Sequence, residues 1–176
     1  MTALVTWDRD ELSRRRDDLL DVYADAMEVP AVSARARRAI VTSHLDRDGL
    51  RAVAAMNEDG GLAGVAYGYV GAPGQWWHDH VRGALPTELA DVWLSDAFEV
   101  CELHVRTAAQ GEGLGRALLD LLLAGLPNRT AVLTTPDRAT RARGFYRAGG
   151  WQDLVRGLRF PGDPREFAVL GKRLHA

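Results

Sequence analysis

The stretch "AAQGEGLGRALLDLLL" (108–123) sets three glycines in five positions and then runs straight into an apolar-periodic helix. Before it lies "AFEVCELHV" (97–105), where Phe98, Val100, Cys101, Leu103 and Val105 give the largely apolar pattern of a central strand. After the helix comes a second short apolar strand, "TAVLTT" (130–135). Strand, glycine turn, helix and strand make one right-handed crossover. The joint between strand and helix presents several backbone N–H groups and the positive end of a helix dipole to one spot, which suits a phosphate. Gly113 and Gly115 let the backbone approach such a group closely, and Arg116 in the first turn adds charge.

The rest of the chain supplies a domain around this unit. With 176 residues, 47% of them apolar and 26% charged, the composition is that of one globular domain with a sizeable core. No run approaches the ~20 apolar residues that span a bilayer, so no membrane partner is expected. The N-terminal "MTALVTWDRDELSRRRDD" has no apolar signal region, and a cytoplasmic location is the expectation. Cys101 is the single cysteine, which excludes an internal disulfide. A net charge of -2 argues against a nucleic-acid partner, and the basic clusters Arg14 to Arg16 and Arg35 to Arg38 read as solvated helix faces.

Along the chain, residues 2–7 alternate like a short strand, and Asp8 or Asp10 caps a helix that reaches about Met27, with Pro30 forbidding continuation. Ser33 caps a second helix carrying Ile40, Val41, His44 and Leu45 on one face, with Gly49 ending it. "LRAVAAMN" and "LAGVAYGYV" about "EDGG" form an antiparallel hairpin. Residues 71–96 break this pattern and read as an insertion over the sheet with a short helix over 87–94. A helix within "RATRARGFYRAGG" and strands around 151–158 and 166–171 complete the chain.

Three glycine-loop chemistries compete for "QGEGLG" (110–115). A P-loop requires Lys-Ser or Lys-Thr after the last glycine, where this sequence has Arg116 and Ala117. A Rossmann fingerprint has GxGxxG spacing and an acidic residue about 20 positions on; here the spacing is GxGxG and the later strand offers only Thr130 to Thr135. The third possibility fits: the hexapeptide resembles the Gln/Arg-x-x-Gly-x-Gly/Ala signature of the GCN5-related N-acetyltransferase family, which cradles the pyrophosphate of acetyl-coenzyme A. "ELHV", five residues before Gln110, looks like that family's fourth strand, and "FYRAGGW" (145–151) resembles its Phe-Tyr-x-x-x-Gly-Phe segment with tryptophan last. The order of elements agrees over essentially the whole chain. The resemblance implies a single α+β domain over 1–176, α/β/α sandwich-like, with a central mixed, largely antiparallel sheet splayed at the cofactor site.

Carried over by position, the resemblance implies that the segment Gln110, Gly111, Glu112, Gly113, Leu114, Gly115 and Arg116 binds the pyrophosphate. Leu103, His104 and Val105 would line the pantetheine arm, the first and last through backbone groups. The family often places an asparagine seven residues before the tyrosine; here that position is Ala139, and Thr140 and Arg143 are the neighbours able to take its place. Acetyl-CoA is the implied co-substrate, no metal is implied, and a homodimer is an expected assembly.

The expected reaction is direct attack of a primary amine on the thioester. An alkyl ammonium, with a pKa near ~10.4, must first lose a proton, and the leaving thiolate gains from a proton donor. The resemblance makes Tyr146 that donor. Glu99 and Glu102, three apart on a strand, are the candidate bases; in a regular pleat only one of them faces the thioester, and the resemblance favours Glu99, which occupies the position where some family members place a basic glutamate. The side chain of His104 is expected to turn to the opposite face. "QWWHDH" (75–80) invites a metal reading, but no third ligand cluster accompanies it. A loop packing Trp76 and Trp77 on the sheet fits better, and in the family's substrate loop these rings, with Asp79, would wall an acceptor pocket. Cys101 reads as a buried small residue. A silent acyl-CoA sensor and an interaction module on the same fold are the rival functions. The acceptor, a small-molecule or a protein amine, is left open.

Overall fold

A computed structural model describes residues 2–175. Their strands hydrogen-bond in the order β1-β2-β3-β4-β5-β7-β6, where β1 is Thr2–Trp7, β2 Arg51–Asn57, β3 Leu62–Val70, β4 Ala97–Val105, β5 Thr130–Pro136, β6 Gln152–Leu158 and β7 Phe167–Arg173. The sheet is mixed. The β1/β2, β2/β3, β5/β7 and β6/β7 pairs are antiparallel, and β4 runs parallel to β5. That parallel pair, joined through a helix, is the crossover expected from the sequence. Its ladder matches Ala97 to Thr130, Phe98 to Ala131 and Glu99 to Val132.

The chain divides into two compact units. The first holds the chain up to Tyr69 together with Val100–Gly125. Its helices are α1 (Arg9–Arg14), α2 (Arg16–Met27), α3 (Ala31–Arg35), α4 (Arg38–His44) and, after the glycine turn, a helix named α7 below. Asp8 caps α1 by accepting from the Glu11 N–H. The expected first helix is broken at Arg15, which has φ -94° and ψ 15° and serves as C-cap of α1 and N-cap of α2. The expected second helix is likewise two short ones, and Ser33 lies inside α3 rather than capping it: Pro30 opens that helix. Leu12, Leu19, Leu20 and Val22 from α1 and α2, with Val41 and Leu45, bury against Ala52 and Ala54 of β2 and Val65 and Tyr67 of β3.

The second unit holds Val70–Glu99 and the chain from Leu126 onward. Its helices are α5 (Trp76–Ala84), α6 (Thr87–Leu94) and α8 (Arg141–Ala148). The tryptophan segment is therefore a helix and not the loop expected of it: Gln75 has an extended backbone at its N-cap, and Val81 and His78 give it a buried side. Val81, Leu85, Ala90 and Leu94 pack with Ala97, Val132 and Val169 to form this unit's core. Among the described residues no helix is long and apolar enough to cross a membrane.

The remaining helix of the first unit, α7 (Leu114–Leu123), buries Leu118, Leu119 and Leu122. It lies so near β3 that a Cβ on Gly64 would stand 2.9 Å from Leu118 Cδ1 and 3.1 Å from the His104 carbonyl oxygen. Gly64→Ala is expected to destabilise the protein by about 1–3 kcal/mol, since the backbone oxygen cannot swing away. Gly144→Ala, in α8 with open space around the new methyl, is expected to be neutral or stabilising by up to about 1 kcal/mol. Denaturant titration of both variants checks the pair.

Candidate functional site

The path from β4 into α7 is fixed from several sides. Arg106 donates its backbone N–H to the Ala63 carbonyl at 2.8 Å and its Nε–H to the Leu62 carbonyl at 2.7 Å. Thr107 opens a 3-10 turn (Thr107–Ala109), and its N–H donates to the Asp25 carboxylate at 2.6 Å. Gln110 then folds its side-chain amide back onto the last carbonyl of the strand, Nε2 to Val105 O at 2.9 Å. Gly111 and Gly113 follow with φ of 91° and 82°, conformations that a side chain would strain. Gly113 is the N-cap of α7 and provides no side-chain cap, so the first-turn N–H groups of that helix have no intrahelical acceptor. Gly111, Glu112 and Gly113 are exposed, whereas Leu114, Gly115 and Arg116 are half-buried. An uncapped helix N-terminus behind an exposed two-glycine turn fits a pyrophosphate, with Glu112 able to contribute its backbone only.

On β4 itself the sequence expectations divide. Glu99 and Glu102 are both buried. Glu102 lies in the first unit, where Arg37 Nη2 approaches its Oε1 at 2.5 Å and His104 Nε2 its Oε2 at 2.5 Å. Burial pushes this carboxyl up, but the hydrogen bond and charge of His104 and then the charge of Arg37 outweigh it and hold the pKa at about 2. A carboxylate so firmly ionised is a poor proton acceptor at neutral pH, which removes Glu102 as a base. Besides Glu102, the His104 ring meets the Tyr23 ring edge-on at 5.0 Å. Leu103 and Val105 are half-buried at the end of the strand.

The residues expected around the acceptor lie in the second unit. Trp76 is 59% exposed and stacks on His80 at 5.5 Å, with Phe160 at 5.3 Å. Trp77 turns inward and donates Nε1–H to the Thr134 hydroxyl at 2.5 Å. The Asp79 carboxylate is held below its usual range by the His78 ring and by the Gly74 N–H, which ties the preceding turn to α5. Among the described residues no group of three or more His, Cys, Asp or Glu is arranged to hold a metal ion. Cys101 is half-buried, not fully buried as expected, and packs against the first unit's core. Tyr146 sits on α8 with its ring edge-on to Trp151 at 5.6 Å and to Phe145 at 5.1 Å.

Arg143 is a correction. Its guanidinium is buried between Asp137, at 2.7 Å, and Asp153, also at 2.7 Å, and so is committed to two carboxylates rather than turned toward a cofactor arm. The other substitute, Thr140, caps α8 by accepting from the Arg143 N–H at 3.2 Å.

Sequence reasoning missed Arg37, read as part of a solvated basic face. Arg35 and Arg38 do pair with exposed carboxylates, Asp21 and Asp17, but Arg37 reaches the buried Glu102 and lies over the Tyr23 ring at 4.7 Å. His44 was placed only on a helix face; its Nδ1 meets the Tyr67 hydroxyl at 3.0 Å. A buried Glu on an otherwise apolar strand was the one signal that a cationic partner had to exist.

Four likenesses bear on this geometry. The model of the Acetyltransferase (GNAT) family matches residues 16–150. A Mycobacterium tuberculosis protein named "GCN5-like protein acetyltransferase Rv2170" is 37% identical over 193 aligned positions, covering 93% of this chain and 94% of that protein. Among solved structures, an acetyltransferase of the GNAT family from Staphylococcus aureus Mu50 superposes with TM-score 0.67 at 14% identity, covering 99% of this chain and all of the other. The yncA protein of Salmonella typhimurium, solved with its cofactor acetyl-CoA, superposes with TM-score 0.65 at 15% identity, covering 100% of this chain and 95% of the other.

Glu102→Gln is expected to cost on the order of 3 kcal/mol, because it leaves Arg37 and His104 without their charge partner. The folded-state pKa lies below the ordinary value of 4.5, so the ionised carboxylate stabilises the wild type above about pH 4.5 and loses that contribution as pH falls toward 2. Acid unfolding of the variant, followed by circular dichroism, is expected to lack this component. A wild-type-like acid profile would contradict the ion pair.

Proposed function

This chain belongs to the GNAT acetyltransferase family, and from that premise we propose that it moves the acetyl group of acetyl-CoA to a primary amine by direct attack. The observation that carries the reading is the uncapped N-terminus of α7 behind Gly111 and Gly113, with Gln110 bonded back to the Val105 carbonyl. Such a joint binds a pyrophosphate by first-turn N–H groups and helix dipole, and a thioester arm bound beyond it runs toward the end of β4. The likeness to an acetyltransferase fold solved with acetyl-CoA supports the same cofactor here.

In the proposed reaction the amine nitrogen attacks the thioester carbonyl carbon, a tetrahedral oxyanion forms, and the carbon–sulfur bond breaks to release coenzyme A. Backbone N–H groups near Leu103 and Val105 would stabilise the oxyanion. Tyr146 would give its phenolic proton to the departing thiolate. With Glu102 locked in its ion pair, Glu99 is the carboxylate of β4 left to receive the proton of the attacking ammonium. The name of the M. tuberculosis relative favours an amine of a protein as acceptor, so lysine peptides belong in the assay beside small amines.

Thiol release from acetyl-CoA across such a panel tests the reading. Tyr146→Phe is expected to lower kcat by about 100-fold or more, the usual contribution of a general acid. Gly113→Ala is expected to raise the KM for acetyl-CoA by about 10-fold, because φ of 82° strains a side chain and the methyl stands where the phosphate approaches. Unchanged kcat in Tyr146→Phe would remove the assigned acid, and absence of release despite cofactor binding would favour an acyl-CoA sensor.

A further inference from the structure

The first unit sets a buried hydrogen-bond donor without a described partner, Arg47 Nε, beside the half-buried imidazole of His44. His44 closes α4, and the Arg47 N–H bonds to the His44 carbonyl at 3.1 Å, so the two side chains leave the same turn. Both meet one ring: the His44 imidazole stands edge-on to Tyr69 at 5.0 Å, and Arg47 Cζ lies 5.9 Å from the centre of the same ring.

The proton on His44 can be located. Tyr67 is fully buried, and its hydroxyl has one described partner, Nδ1 of His44 at 3.0 Å. Burial keeps the phenol protonated, and its proton has no described acceptor besides Nδ1, so the hydroxyl donates and Nδ1 accepts. Burial also lowers the imidazole to about 4, against the pull of Glu102 and helped by Arg47 and Arg37, so the ring is neutral near pH 7. Its single proton is then on Nε2, which thereby becomes a donor. No described residue accepts from it. Arg47 offers the second donor, since its Nε is buried and has no hydrogen-bond partner among the described residues. The oxygens of Glu102 are engaged by Arg37 and His104.

A buried donor without an acceptor is costly to a fold, and at Arg47 an apolar side chain of the same volume would serve stability better. Arginine beside a neutral histidine donor is instead the chemistry that recognises a carboxylate. We propose that Arg47 and His44, beside the Tyr69 ring, form an anion subsite that holds a carboxylate of the acceptor. The acceptor is therefore an amine that also carries a carboxylate, either a free amino acid or a peptide with an acidic group near its reacting amine. The inference rests on the acetyltransferase reading for the identity of the ligand as acceptor; the anion site itself rests on the placement of Arg47 and His44 against Tyr69 and on the unpartnered Arg47 Nε.

Matched pairs test it: lysine against lysinamide, and a lysine peptide with glutamate beside the lysine against the same peptide with glutamine. The acid-over-amide preference in kcat/KM is expected in at least one pair, identifying the source, and Arg47→Gln is expected to reduce that preference about 10-fold or more, the loss of one charge-assisted hydrogen bond. Arg47→Lys keeps the charge without the fork and is expected to restore only part of it. Direct titration of the same ligands in the presence of coenzyme A, followed calorimetrically, reads the subsite without turnover. Acid-dependent binding lost in Arg47→Gln, with no acetyl transfer to any amine, would sink the acetyltransferase reading and leave the subsite standing. No acid preference in either pair, by turnover or by titration, would overturn the subsite, as would a preference that survives unchanged in Arg47→Gln and in His44→Phe.

Discussion

A helix that begins without a side-chain cap has to be held open by bonds from elsewhere, and the candidate chemistry of this protein depends on that arrangement. The first turn of α7 has no capping oxygen from Gly113. What fixes it is its approach: Asp25 accepts from Thr107, the Leu62 and Ala63 carbonyls accept from Arg106, and Gln110 returns to Val105. Leu118, Leu119 and Leu122 anchor the helix beyond the turn. Packing and loop bonds together hold the first-turn N–H groups in place, which is the preorganisation that anion binding needs.

A second constraint acts on the strand that feeds the turn. Glu102 is a buried carboxylate, and the energy of removing it from water is offset only because Arg37 and His104 both reach it. The same contacts tie the α3–α4 region to β4 and hold the His104 side chain with Tyr23 and Glu102. Chemistry and architecture therefore divide the two glutamates of β4. Glu102 is consumed by the fold, and the proposed reaction turns to Glu99.

Much of this was legible in the sequence where local rules dominate. The strand, glycine turn and helix of 97–123 were readable because glycine spacing and leucine periodicity are both local signals, and the hairpin about Asp59 and Gly60 followed from turn chemistry. What escaped were features decided at a distance. Nothing near Arg37 announces Glu102, which is 65 positions away. Arg143 looked available because Asp137 and Asp153 become its neighbours only through folding. Helix α5 was read as a loop because Gly74 and the paired tryptophans obscure a short helix whose buried side rests on only Val81 and His78. The break at Arg15 has no glycine or proline to mark it.

The most direct test of the central claim is amide nuclear magnetic resonance of the 15N-labelled protein during titration with coenzyme A. The account predicts saturable shifts concentrated in the N–H groups of Gly111, Gly113, Gly115 and Arg116, with further shifts at Leu103 and Val105. Binding of coenzyme A that leaves the Gly111–Arg116 amides unmoved would contradict it.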